Sequence, residues 1–293
     1  MKMVQNGILS AETQFTRYLS FSLLDVAEVT DCLQALKEVV DGQSVVVGFG
    51  SSLVSALDTS ISGLHLMPVN SAPGLDVPST PHALWLWLQG DDRGELLHRS
   101  RTLEELLASA FELSDVVEGC QYDSNHDLSG YEDGTENPQG DDAIKAAIVQ
   151  GQGDGLDGSS FVAVQQWLHD FDMLDSMTVE EKDDSIGRHI HDNEEFDDAP
   201  EFAHVKRSAQ ENFEPEAFML RRSMPWIEGM AGGLVFVSFG KSFDAFEAIL
   251  NRMLGHDDGI QDALFNFTKP ITGAYFWCPP MKEGKLDLTA ISL

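Results

Sequence analysis

The run Gly130-Tyr131-Glu132-Asp133-Gly134-Thr135-Glu136-Asn137-Pro138 carries the sharpest chemical signal in the chain. Glycine accepts a positive φ and lets a backbone come close to a ligand. A carboxylate held between two glycines therefore sits on a tight, exposed loop, where it can take up or hand over a proton. By composition alone the same run also reads as a surface turn. Two other groupings suggest metal chemistry. His189-Ile190-His191 puts two rings on one side of an extended segment, but no third ligand accompanies them, against the four-ligand norm for structural zinc. Asp123, Asn125 and Asp127 begin like a calcium loop. Leu128 then stands where such a loop needs Gly, and Gly134 where it needs Glu, so that reading fails. The other histidines, among them His65, His169 and His204, are scattered, and spacing singles out none of them.

With its TENP continuation, the Gly130 to Pro138 run resembles the GxxDG signature of the dye-decolorising peroxidases, a family of haem enzymes. The likeness is strongest over residues 128–138, good over 160–188 and 266–279, and weak before residue 80. It implies an enzyme that binds haem b non-covalently, reduces hydrogen peroxide, and oxidises dyes or other small aromatic reductants through a ferryl intermediate. It implies that Asp133 is the distal acid–base group. Arg221, in Met219-Leu220-Arg221-Arg222-Ser223, would be the distal cation that steadies charge as the O–O bond breaks. Neighbours on a strand face opposite ways, so Arg222 would point away and Ser223 would share the Arg221 face.

The same resemblance implies that His204, in Phe202-Ala203-His204-Val205, is the proximal haem and iron ligand. Asp262 would accept a hydrogen bond from that ring and raise its basicity. Arg188 would pair with a haem propionate, with His189 standing where relatives usually carry Thr. Gly134 would let the backbone approach the cofactor, and Phe236 would pack on the distal side or simply in the core. With an ordinary carboxyl pKa of about 3.9, Asp133 would be ionised in mild acid, in keeping with the low pH optima that the family implies. Two other roles fit the same resemblance. One is a haem carrier or store with incidental peroxidase activity. The other is cargo of a protein nanocompartment, an encapsulin shell, entered through the tail LDLTAISL at residues 286–293. The tail reads equally as a final packed turn.

Composition narrows the partners. The chain has 293 residues, 49 acidic against 18 basic, for a formal charge of −31. Such a surface repels phosphate backbones and anionic lipid, so nucleic acid and membrane surfaces are not expected partners. Cys32, Cys120 and Cys278 are far apart, with no CxxC or CxxCH, which argues against a zinc ribbon or covalent haem. A sparse, odd cysteine count suits a reducing compartment. The N-terminus shows no apolar signal core. The expectation is a cytoplasmic protein, assembled as a closed homo-oligomer.

The elements alternate in type. Strands are expected at residues 15–24, 44–50, 83–90, 116–122, 160–166, 216–222, 233–240 and 273–278, and helices at 26–40, 52–57, 102–113, 178–188 and 243–254. Thr102 with Glu105 looks like a capping box. Residues 68–81 and 123–158 read as loops, the second long enough to be functional. The aromatic residues Trp85, Trp87, Trp167, Trp226, Tyr122, Tyr131 and Tyr275 are possible electron relays, and the sequence nominates none. The pattern predicts an α+β fold of two ferredoxin-like halves with antiparallel sheets and peripheral helices, the dimeric α/β-barrel type. The halves are expected at residues 1–125 and 126–293, the second carrying most of the haem site.

Overall fold

The computed structural model describes residues 3–293. Eight strands close into an antiparallel barrel: β1 (Phe15–Leu23), β2 (Val45–Phe49), β3 (Leu84–Gly90), β4 (Phe111–Cys120), β5 (Ser160–His169), β6 (Met224–Glu228), β7 (Ala231–Gly240) and β8 (Ala274–Cys278). Strands β1 to β4 lie in the order β4-β1-β3-β2, and β5 to β8 in the order β8-β5-β7-β6. Each half is therefore the same ferredoxin-like arrangement. The halves meet at two short seams, Trp277 opposite Phe49 and Gly119 opposite Trp226.

Alternation along each strand sends one face into the barrel and the other outward. Tyr18, Val46, Trp85, Trp87, Val162, Val237, Phe239 and Phe276 fill the inside. Their rings stack, with Trp85 and Trp87 centroids 6.3 Å apart and Trp85 and Phe276 5.8 Å apart. Strand β3 has no wet face, because both its Trp and its Leu residues are buried. Outside the first half, Leu19, Phe21, Leu86 and Leu88 pack beneath helices α1 (Val29–Val39) and α2 (Arg93–Leu107), which contribute Leu33, Leu36, Leu103 and Leu107. Outside the second half the covering elements are α4 (Val179–Ile186), α5 (His204–Ser208) and α6 (Asp244–Met253), while α3 (Gly140–Ala147) packs Ala143 and Ala147 against the barrel interior.

Four local expectations need correction. The helix expected over residues 102–113 is α2, which starts nine residues earlier, at Arg93, behind the cap residue Asp92, whose side chain accepts from the Gly94 and Glu95 N–H groups. Thr102 lies inside it and donates to the His98 carbonyl, so its spacing to Glu105 only mimics a cap. The connection 123–158 contains α3, opened by Asp141 and Asp142 in the first turn, where carboxylates complement the helix dipole. The expected loop 68–81 folds a small hairpin, Asn70–Ala72 against Leu75–Val77. The strand expected over 216–222 shrinks to Leu220–Arg221, beside β7. Thr178, by contrast, makes a true capping box with Glu181 at the start of α4.

The tail is packed, with Leu286, Leu288 and Ile291 all about 1% exposed. All three cysteines are free thiols. Among the described residues no helix is long and apolar enough to cross a membrane.

Candidate active site

A cavity of about 350 Å³ opens against the outer face of the second half, within the ~300–1,000 Å³ typical of cofactor sites. Gln165 and Trp167 of β5, Leu234 and Phe236 of β7, and Phe246, Ile249, Leu250 and Met253 of α6 form its walls. Asp133, Gly134, Arg188, His204 and Arg221 also line it. Asp262 does not touch the cavity but stands directly behind His204.

The loop that presents Asp133 is held from both sides. Residues Asp123, Ser124 and Asn125 all take positive φ, a conformation that short polar side chains tolerate. This turn brings Asn125 against the Asp133 backbone: Asp133 N–H donates to the Asn125 carbonyl (2.9 Å), and Asn125 Nδ2 donates to the Asp133 carbonyl (2.6 Å). The acid spacing that mimicked a calcium loop thus serves as a brace. Gly134 sits at φ +80°, which explains the glycine after the acid. Burial pushes the Asp133 carboxyl above the ordinary carboxylate range, as does nearby Asp127; Arg221 and, more weakly, His204 pull the other way. The expectation of an unperturbed Asp133, ionised in mild acid, is therefore corrected upward.

Arg221 is tied to the same loop by its backbone. Its N–H donates to Asn137 Oδ1 (2.9 Å), and Asn137 Nδ2 donates to its carbonyl (2.8 Å). The side chain is left to the cavity, where Arg221 Nε is buried without a partner. Arg222 turns away, donating from Nε to the Ile8 carbonyl (3.0 Å) and facing Glu12 at 3.8 Å. Ser223 does not line this cavity, although it shares a neighbouring pocket with Arg221 and Asp133. It is 7% exposed, and its Oγ accepts from Val237 N–H. The reason is local: the chain leaves the short strand at Arg221 before β6 begins at Met224, so simple alternation is lost. A second pocket, about 600 Å³, lies beyond the Asp133 loop and is lined by Glu12, Arg222 and Ser223. It shares Asp133, Gly134 and Arg221 with the cavity.

His204 begins α5. Arg207, one turn on and 3% exposed, pins this short helix with a paired contact to Asp258 (2.8 Å each) and a bond to the Arg252 carbonyl (2.8 Å). Gly187, at φ +91°, ends α4 against α5; a Cβ there would stand 2.3 Å from Val205 Cγ2. His204 Nδ1 donates to Asp262 Oδ2 at 2.7 Å. The Asp262 carboxylate is fully buried and also accepts from Leu264 N–H (2.8 Å). This fixes the tautomer and leaves Nε2 with its lone pair toward the cavity.

Arg188 lines the cavity but is already engaged, with Glu136 at 3.0 Å, Glu195 at 2.8 Å and the Asn193 carbonyl at 3.1 Å. The His189–His191 pair, with ring centroids 5.6 Å apart, belongs to no group of three or more metal-ligating side chains among the described residues. Sequence reasoning missed Asn137, Asn125, Gln165 and the buried couple of His169 with Asp127 (2.9 Å). The first of these stood in the quoted run itself.

A model of the C-terminal region of Dyp-type peroxidases matches residues 124–283. A dye-decolorizing peroxidase of Mycobacterium tuberculosis is 30% identical over 247 residues, covering 80% of this chain and 73% of the relative. One of Rhodococcus erythropolis is 30% identical, covering 81% and 72%. Among solved structures, a dye-decolorizing protein from V. cholerae superposes with a TM-score of 0.85 at 27% identity, covering 94% of this chain and 96% of that one. A variant of Rhodococcus jostii RHA1 DypB in complex with heme gives 0.84 at 27% identity, covering 98% and 97%. Barrel, cavity and sequence agree on the class, a peroxidase built on paired ferredoxin-like halves. The chain belongs to the Dyp-type peroxidase family.

Proposed function

We propose that the cavity between β5, β7, α5 and α6 is where this peroxidase binds haem b and reduces hydrogen peroxide, with Asp133 and Arg221 on the peroxide side and His204 as iron ligand. The observation that carries this is that a histidine backed by a buried carboxylate and an Asp–Arg pair open onto one cavity. The residues fit the group. His204 Nε2 has no hydrogen-bond partner among the described residues, and the ring is 32% exposed. Both side-chain amide atoms of Gln165, Trp167 Nε1 and Arg221 Nε are buried around the cavity without protein partners. Such orphans are costly unless a bound group or water satisfies them.

Haem, when bound, supplies the iron that splits the peroxide bond and holds its two oxidising equivalents. Peroxide reaches Asp133 and Arg221 from the second pocket. Ionised Asp133 takes the proton from the inner peroxide oxygen and returns it to the outer one, which leaves as water. Arg221 offsets the negative charge that gathers on the departing oxygen. The Asp262 carboxylate keeps His204 oriented and electron-rich. Arg188 would meet a propionate, which must then displace Glu136 or Glu195. Phe236 gives the cavity an apolar floor, and Gly134 lets the loop lie close. Two one-electron donors, small aromatic compounds or dyes, complete the cycle. Ser223 supports the Arg221 segment from outside the cavity.

The division of the chain after residue 125, a cytoplasmic location and a closed homo-oligomer belong to the same proposal. The exposed Ile227 and Met230 at the β6–β7 turn supply apolar surface for such an assembly. The carrier reading lacks a use for the Asp133–Arg221 pair. The cargo reading needs a free tail, whereas Leu286, Leu288 and Ile291 pack into the core.

The test is an absorption spectrum of haem-loaded protein before and after one equivalent of peroxide. A Soret band that changes within milliseconds, and slowly in Asp133→Asn and Arg221→Ala, is expected. A stable band without response would favour carriage. Failure to take up haem would overturn the reading.

A further inference from the structure

Of the four tyrosines, only Tyr131 lines the cavity. Its ring is packed among Leu174, Ile186 and Phe267, and it is 5% exposed. Its hydroxyl donates to Asp183 Oδ1 at 2.6 Å. Asp183 is itself 8% exposed, and its other oxygen meets His189 Nδ1 at 3.1 Å. The His189 side chain is 42% exposed and stacks on Phe196, with centroids 5.0 Å apart. A hydrogen-bonded line thus runs from the cavity through Tyr131, Asp183 and His189 to the surface. The mechanism above uses none of these three.

We propose that Tyr131 is the electron relay of this peroxidase for donors too large to enter the cavity, with Asp183 as its proton acceptor and His189 as the outlet to solvent. The inference rests on the haem reading. In the forward step Tyr131 gives one electron to the cofactor oxidised by peroxide. Its hydroxyl proton crosses to Asp183 Oδ1, leaving a neutral tyrosyl radical and a protonated carboxyl group. A bulky aromatic donor at the His189–Phe196 surface then returns one electron, and the proton goes back to the phenol oxygen. Charge and protons balance at each step.

The environment suits this. Burial, and then the Asp183 carboxylate, push the Tyr131 phenol well above its ordinary pKa, so it is protonated at rest. Asp183 is pushed up by burial, but hydrogen bonds from Tyr131, His189 and Ile190 N–H outweigh this and hold it below the usual carboxylate range. It is therefore ionised and ready to accept. The other tyrosines lack this combination. Tyr18 Oη is buried without a partner, Tyr122 is 45% exposed and away from the cavity, and Tyr275 bonds Glu247 one ring behind Phe246.

The test is freeze-quench electron paramagnetic resonance of haem-loaded protein mixed with one equivalent of peroxide, with haem uptake checked by absorption. A tyrosyl signal is expected in the wild type and in the triple variant Tyr18→Phe, Tyr122→Phe, Tyr275→Phe. It is expected to vanish in Tyr131→Phe, together with at least a tenfold loss of turnover on a bulky dye relative to a small phenol. Asp183→Asn should form the signal at least tenfold more slowly. Haem uptake with an unchanged tyrosyl signal in Tyr131→Phe, or its loss in the triple variant, would overturn the relay and leave the peroxidase reading intact. Absence of haem uptake by the wild type would instead strike at the peroxidase reading.

Discussion

The two halves share one strand order but treat the outer face of the sheet differently. In the first half, the crossover after β1 spans residues 24–44 and lays α1 directly on the sheet. Leucines from sheet and helices meet there and close the space. In the second half, the matching crossover after β5 spans residues 170–223. It carries Arg188, His204 and Arg221, and it stands off from the sheet to leave the cavity. The outward faces differ with it: β1 presents Leu19 and Phe21 to the core, and β5 presents Gln165 and Trp167 to the cavity. One copy of the fold is thus kept solid, and the other is hollowed where its longest connection can reach over the gap. Interior surface left without partner atoms costs stability, which the solid half and the shared barrel interior offset.

This contrast can be broken in four ways. The largest effect should come from the loop at the hollow half: Asp133→Asn should slow the reaction with peroxide by ~10²–10⁴, the usual yield of a positioned acid–base group, as read by stopped-flow absorption with haem retained. Next, Leu86→Ala in the solid half should cost about 2–5 kcal/mol in denaturant unfolding. Phe236→Ala on the cavity wall should cost less than about 2 kcal/mol in haem-free protein, because one face of that ring already lacks neighbours. Equal costs would mean that the two halves are packed alike. Third, Asp262→Asn should weaken haem affinity or activity by about 10–100-fold, measured by haem titration and turnover.

The smallest effect concerns pH. Asp133 must be ionised to accept a proton, and its carboxyl lies above the ordinary range, so activity should fall on the acid side at a higher pH than for a free carboxylate. Asp127 contributes to that rise. Removing its charge in Asp127→Asn should let Asp133 ionise more readily and move the acid limb of the pH–rate profile to lower pH. A limb that stays or moves upward would remove Asp127 from the account.

Much of this was legible in the chain. Most strands were readable from their apolar, aromatic and β-branched runs, though β6 was missed and the start of β4 was read as helix, and the Gly130 to Pro138 run announced its carboxylate. His204 and Asp262 came only with the family likeness, because a single histidine has no local pattern. Ser223 reaches the second pocket beside Arg221 but not the main cavity, because the chain leaves its short strand after Arg221. Gln165 and Trp167 were hidden for a different reason. Whether an outward face meets a core or a cavity depends on what packs over it, and that is decided by residues 170–223, not by β5. Asn137 and Asp183 act through side-chain hydrogen bonds to partners far along the chain, Arg221 and Tyr131, which no periodicity records.

The Asn137 brace grips Arg221 only by its peptide groups. The side chain takes no part in its own positioning there. The site is therefore a socket, and whatever residue follows Leu220 is delivered to the same point above the cavity. Lysine, histidine or a neutral amide at position 221 would be presented to peroxide from one fixed origin, which makes this a place where the chemistry of the enzyme can be rewritten without redesigning the loop that holds it.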